Sequence, residues 1–309
     1  MNKKLSFVKS TLVKNFLALS ALQVVNLILP FITLPYLARV LGVENYGVVV
    51  MIYSIMQLLF VINDYGFNLS ATKEISLHRN NINKINTIFS SILIIKIVLL
   101  ILSLIILLVL VNTIPLLYQN KLAYMLGFGM VIGQSFTPIW LFQGMEKMKY
   151  VTLVNLISKL TFTLLIFVVV KVSSDYIYVP LLYSIGFVIA SIISLFFAYK
   201  QFGVSIKFVY WDDINEQLHN STQYFYSRAA IAGYSSGNNF IVGLVLGEYF
   251  AGIFGVAEKL YMAIILVYSP LSEAIYPYMV KNKNLKLLKK IIIAVVIINI
   301  SAICFVTFL

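Results

Sequence analysis

Crossing the hydrocarbon core of a bilayer takes about 20 consecutive apolar residues in a helix. Nine segments of this chain meet that length, at approximately 16–38, 46–68, 88–111, 122–142, 151–171, 178–199, 222–246, 251–278 and 291–309. Hydrocarbon offers backbone N–H and C=O groups no water to bond, so such segments are restricted to helices packed side by side. The expected fold is therefore all-α, a polytopic membrane helix bundle with about nine transmembrane helices. Composition agrees: 61% of residues are hydrophobic and only 11% charged, where a soluble domain carries about 25% charged residues. Lysines precede the first span as they do in a signal peptide. The apolar run, however, continues to Arg39 without a small-residue cleavage site, so it is read as a helix that stays in the protein.

The connections are short, polar and alternate in charge. Of 23 basic residues, Arg39, Lys121 and Lys171 fall at one set of span ends, and Lys96, Lys159, Arg228 and Lys259 fall inside spans. The remaining basic residues collect on the other side, which the positive-inside rule makes cytoplasmic and which places the N-terminus there. The same distribution accounts for the net charge of +12 without a nucleic-acid partner. The longest connection, 201–221, carries Trp211, Asp212, Asp213 and Glu216 and reads as a linker, with Asp212 and Asp213 either solvated or capping a helix.

A weak internal repeat sets the domain organisation. Val40-Leu41-Gly42 followed by Gly47 matches Val245-Leu246-Gly247 followed by Gly252 at a constant offset of 205. In both places a Glu and an aromatic residue lie between the glycines, which let the backbone turn and let helices approach closely. Gly42 follows the first span and Gly247 the seventh, so the unit is six helices used twice. The expected domains are a six-helix N-terminal lobe over 1–205 and a partial C-terminal lobe, helices 7 to 9, over 206–309. Two full units would need about 410 residues, so a further three helices of the second lobe are expected beyond this sequence. The alternative is a nine-helix protein that completes its bundle by dimerising.

Polar residues inside the spans are the candidate site. A charge at membrane depth costs at least about 2.5–3.5 kcal/mol on insertion scales, so it faces a bundle interior, pairs, or reaches for the interface. On the fifth span Thr152, Asn155, Lys159 and Thr163 form one stripe at helical spacing, and on the seventh Arg228, Ser235 and Asn239 share a face. The first span offers Gln23, Asn26, Pro30 and Thr33, and the second Tyr53, Gln57 and Asp64. These stripes are expected to line one cavity, with Lys159 and Arg228 facing each other across it. Lys96 has only Ser103 on its face and is read instead as a snorkelling or structurally paired lysine. Lys259 neighbours Glu258, so a local ion pair and a ligand contact both stay open. Prolines in the first, fourth and eighth spans (Pro30, Pro35, Pro138, Pro270, Pro277) mark kinks, whether static or hinged.

Signatures of catalysis and metal chemistry are missing from the sequence. There is no GxSxG, no GxxxxGK and no paired intramembrane carboxylate. One cysteine, Cys304, cannot form a disulfide framework, and His78 and His219 lie far apart in polar segments. The expectation is a protein that is not an enzyme and needs no cofactor.

Three runs resemble a known family: LPYLARVLGVENYG over 34–47, DYGFNLSATKEIS over 64–76 and PIWLFQGMEKMKYVTLVNLISKL over 138–160. They are similar to bacterial polysaccharide flippases of the Wzx type, translocases of O-antigen and related repeat units, within the superfamily that includes multidrug and toxin exporters and the peptidoglycan lipid flippase. The resemblance implies two six-helix lobes flanking a cavity that opens alternately to either side of the bacterial inner membrane. It implies an undecaprenyl-diphosphate-linked oligosaccharide as substrate, moved from the cytoplasmic to the periplasmic leaflet, with a polysaccharide polymerase and a chain-length regulator as candidate partners. A multidrug exporter of the same superfamily and a non-transporting membrane scaffold or transferase subunit are the alternatives. The excess of intramembrane Lys and Arg over acids speaks against the first of these. On this reading the cavity residues are Lys159, Arg228, Asn155, Gln23, Asn26, Gln57, Asp64, Asn239 and Lys259.

Overall fold

The computed structural model describes the backbone of residues 2–262 and the side chains of 28–262. The span expected at 291–309 and most of that at 251–278 lie outside the described residues, as do the side chains of Gln23 and Asn26. The chain divides into two compact units, Met1–Glu258 and Lys259–Leu309, and the first is described below.

All regular structure among the described residues is helical: α1 (Asn2–Asp64), α2 (Phe67–Leu77), α3 (Ile82–Thr113), α4 (Pro115–Gln119), α5 (Lys121–Phe136), α6 (Ile139–Gly144), α7 (Met148–Val169), a 3₁₀ turn (Ser173–Ile177), α8 (Tyr178–Phe202) and α9 (Trp211–Leu246). Residues 248–262 are helical again. Among the described residues six stretches are long and apolar enough to cross a membrane. Their outer faces are apolar and open, as on α3, where Val98, Ile101, Ile105 and Val109 are all more than half exposed. A face of that kind is stable against lipid and unstable against water, so the chain is a multi-pass membrane protein.

The first two expected spans are the two limbs of α1. Helical geometry continues through Pro30 and Pro35 and fails only at Gly42 (φ 78°, ψ 165°). Both limbs pack on the same end of α7, where the Tyr36 hydroxyl donates to the Val170 carbonyl (2.6 Å) and Asn45 Nδ2 to the Ser173 carbonyl (3.2 Å). Gly247, the repeat partner of Gly42, has nearly the same conformation (φ 92°, ψ 173°). The other repeat glycines touch each other. A Cβ on Gly47 would lie 1.7 Å from the Glu248 carbonyl oxygen, and one on Gly252 would lie 2.3 Å from that of Val43. Val43 and Glu248 are themselves 205 apart, so the contact is reciprocal. Beside it Asn120 donates to Glu248 (2.9 Å) and accepts from the Tyr176 hydroxyl (2.8 Å). Burial, and then the nearby charge of Glu44, hold Glu248 above the usual carboxylate range, against the Asn120 hydrogen bond.

The fourth expected span is broken rather than kinked. Pro138 has no N–H, and α5 ends at Phe136 before the short α6 begins. The linker is also shorter than read from the sequence, because α9 starts at Trp211 rather than near 222. Asp213 explains the early start, since its Oδ2 accepts from the Tyr210 N–H (3.1 Å) and caps the helix. The remaining connection, 203–210, is a strap tied along α3. Asn86 exchanges two hydrogen bonds with Ser205, and the Lys207 N–H donates to Ser90 Oγ (2.8 Å). Polar connections gather in two sets at opposite ends of the helices. The set containing Arg79–Glu146 (2.9 Å) and Lys84–Glu216 (3.0 Å) also holds Lys73, Lys147, Lys200 and Lys207 and is the basic end.

The Gly47 contact predicts a sharp contrast between two glycines. Gly47→Val should lower the unfolding free energy in detergent by about 1–3 kcal/mol or more through overpacking. Gly233→Ala, at an α9 position with open space around it, should be neutral or stabilising by about 0.5–1 kcal/mol. Denaturant titration of the two variants beside wild type measures both.

Candidate functional site

The charged centre of the bundle is built by the proline break. In a continuous helix the Ser135 carbonyl would accept from the N–H of residue 139. Here Ile139 N–H turns to the Thr137 carbonyl (2.9 Å), which frees the Ser135 oxygen deep in the protein. Lys96 fills the vacancy from α3, with Nζ donating to Ser135 O at 2.8 Å. Lys96 is 2% exposed, so it does not snorkel, and of the two readings made for it the structural pair is the one observed. Its second partner is electrostatic: Asp64, 5% exposed at the end of α1, feels the positive charges of Lys96 and of Arg228 on α9. One Asp64 oxygen accepts from Asn68 Nδ2 (2.6 Å). Next to it Asn63 donates to Ser103 Oγ (2.6 Å). Asn63 Oδ1, Gln134 Nε2 and Ser135 Oγ are buried there without a protein partner, so the neighbourhood is polar beyond what its own bonds satisfy.

The other expected residues distribute as follows. Arg228 is exposed on α9, whereas Asn239, on the same helical face, is 4% exposed and donates to Glu258. The α9 stripe thus passes from open to buried within three turns. Lys159 and Asn155 are half-buried on α7, where Asn155 Nδ2 donates to the Val151 carbonyl (2.8 Å), and Thr163 on the same stripe is buried. The positive charges that act on Asp64 are those of Lys96 and Arg228. Gln57 is half-buried on the second limb of α1, and Lys259 is half-buried on the helix 248–262 in the second unit.

Sequence reasoning missed Asn63, Asn68, Gln134 and Ser135. One signal was present: a proline in a span requires that some group take over a freed carbonyl, and Lys96 was the intramembrane cation with no polar stripe of its own.

The protein family described as "Polysaccharide biosynthesis protein" matches residues 12–283 of this chain. A protein of Escherichia coli (strain K12) named "Putative O-antigen transporter" is 30% identical over 285 residues, covering 92% of this chain and 69% of the relative. One of Shigella dysenteriae with the same name is 31% identical over 297 residues, covering 94% and 73%. No solved structure matches the chain.

The centre makes its own prediction. Lys96→Met should leave the Ser135 carbonyl unpaired at a cost of about 1–3 kcal/mol, and Asp64 without its buried counter-charge. Adding Pro138→Ala restores an N–H to α5 and lets Ile139 bond Ser135 again. The double variant should therefore unfold less readily than the sum of the two changes, as a double-mutant cycle of unfolding free energies would show.

Proposed function

Since the chain belongs to the polysaccharide biosynthesis protein family, we propose that it is a flippase which moves an undecaprenyl-diphosphate-linked oligosaccharide between leaflets, for O-antigen or related polysaccharide assembly. The observation that carries this reading is an exposed arginine at membrane depth, Arg228, set beside a buried polar centre. A lipid diphosphate needs fixed cations, and one such charge about 4 Å away contributes on the order of 4 kcal/mol before desolvation at an effective dielectric near 20. Amides and hydroxyls on the neighbouring helices suit the sugars, while the prenyl tail stays in lipid. The names carried by the two relatives support the same substrate class.

In this reading 1–205 is the first lobe, and α9 with the helix after it begins the second. The shared conformation of Gly42 and Gly247 and the reciprocal contact of Gly47 with Gly252 support that division. The basic end is cytoplasmic, as the lysine distribution favours, so the N-terminus lies on the cytoplasmic side of the inner membrane and the glycine contact closes the periplasmic side. Access then alternates by movement of one lobe against the other. Chemistry is limited to binding and release, and no covalent step is assigned to any residue.

The decisive experiment reconstitutes the protein into proteoliposomes with labelled undecaprenyl-diphosphate-linked glycan. Transfer between leaflets should exceed that in empty vesicles, and equal rates would sink the proposal. Arg228→Glu and Lys159→Glu should each abolish transfer at normal expression and unchanged insertion, while Arg228→Gln and Lys159→Gln should retain part of it. Wild-type rates in both reversal variants would remove these residues from the site.

A further inference from the structure

Both histidines of the chain, far apart in sequence, line one cleft of about 620 Å³ between α2 and the first turns of α9 at the basic end. We propose that this cleft is a proton-sensitive docking site for a diphosphate, where the head group of the transported lipid is first held. The lipid source rests on the flippase reading above, whereas the diphosphate chemistry does not.

The charges of the cleft argue for an anion. Its acids are already engaged: Glu216 accepts from Lys84 Nζ (3.0 Å), and the two Glu74 oxygens accept from Gln217 Nε2 (2.8 Å) and Asn220 Nδ2 (2.6 Å). The Lys73 ammonium and the His78 and His219 imidazoles are exposed in the same cleft. Lys73 on α2 and Lys84 on α3 balance Glu74 on α2 and Glu216 on α9, so the sign of the cleft is set by its two imidazoles. Histidine is the side chain that changes charge between pH 5 and 8. Protonating His78 and His219 therefore turns a neutral cleft into a cationic one, which is what a diphosphate requires. Among the described residues no three His, Cys, Asp or Glu side chains come together in a way that could hold a metal ion.

The remaining lining fits the rest of such a ligand. Gln223 and Asn220 present amides, and Tyr224 and Tyr226 present ring faces, the pairing of polar groups and aromatics that positions small polar ligands. Location supplies the last argument. Tyr224 stands one helical turn before Arg228 on the same face of α9, a rise of about 6 Å. An anion held in the cleft is thus one turn short of the arginine assigned to transport.

The test titrates the full chain, in nanodiscs of phosphatidylcholine, with inorganic pyrophosphate at pH 8 and pH 6. Wild type should bind about tenfold more tightly at the lower pH, although pyrophosphate itself loses negative charge in that direction. His78→Ala/His219→Ala should lose the gain, and His219→Gln, which keeps a polar group without the charge, should lose part of it. Lys73→Ala should weaken binding at both pH values. No pyrophosphate binding at pH 6, or an unchanged pH response in the double-histidine variant, overturns the site. Farnesyl diphosphate in the same nanodiscs should displace pyrophosphate at lower concentration. Failure to displace it assigns the cleft to a soluble diphosphate and overturns the loading role. A protein that binds with this pH response yet moves no glycan in proteoliposomes keeps the site and loses the flippase reading. One that moves glycan but binds nothing in the cleft keeps the reading and loses the site.

Discussion

One hydrogen bond, from the Lys96 ammonium to the Ser135 carbonyl, lets the rest of the bundle take its shape. Hydrocarbon does not solvate a broken helix, so the carbonyls left open at a proline need other donors: the Gln134 carbonyl takes the Thr137 N–H (3.3 Å), and the Ser135 carbonyl, left by Ile139, takes Lys96. With Lys96 in that role, α5 can stop at Phe136 and α6 can turn away to lie on α2, where Gly144 packs against Ile75 and Thr72 donates to Gln143. The runs 64–76 and 138–144 therefore meet as one structural unit at the basic end. A residue at 96 without a donor that reaches Ser135 would leave the break unsupported, and a continuous α5 would leave Lys96 without this bond. The lysine and the proline are two halves of one device.

The two ends of the unit are held by different physics. At the far end, backbone meets backbone at Gly47 and Gly252, a contact that depends on the absence of side chains and leaves no room for solvent. At the basic end the strap 203–210 is fastened to α3 through Asn86 and Ser90, and polar side chains bridge a cleft instead of closing it. Helix α9 follows the second limb of α1 between these ends, meeting Gly66 at one and Met51 at the other through its own Ser221 and Gly243. Arg228 lies between these two close approaches, on a helix held above and below it.

Much of this was legible in the sequence because membrane burial leaves so few solutions. The described spans and the turn at Gly42 follow from apolar length and glycine, whereas the proline at 138 gave a kink where the helix is in fact broken, and the acids at 212 and 213 left a cap and a solvated linker both open. Side-chain periodicity did less well. Spacing of i, i+7 and i+11 correctly puts Arg228 and Asn239 on one face, but it does not say what that face meets, and one proves open while the other is buried. Lys96 was harder still, because its hydrogen-bond partner is a backbone oxygen, which no residue pattern displays. His78 and His219 looked unrelated because nothing in a linear sequence indicates that α2 and α9 lie side by side.

Asp64 bears on how a site built this way would release what it binds. Its carboxylate interacts with both Lys96 and Arg228, but Lys96 is also held by a carbonyl and is closed off from the outside, whereas Arg228 is open. An incoming anion therefore competes with Asp64 for Arg228 alone. That competition costs affinity, since part of the arginine's field is already spent on a fixed acid. On the flippase reading proposed above that cost is useful, because a permeating ion must be bound strongly enough to enter and weakly enough to leave. On that reading Asp64, whose carboxyl is coupled to Arg228, offers the arginine a counter-charge once an anion leaves.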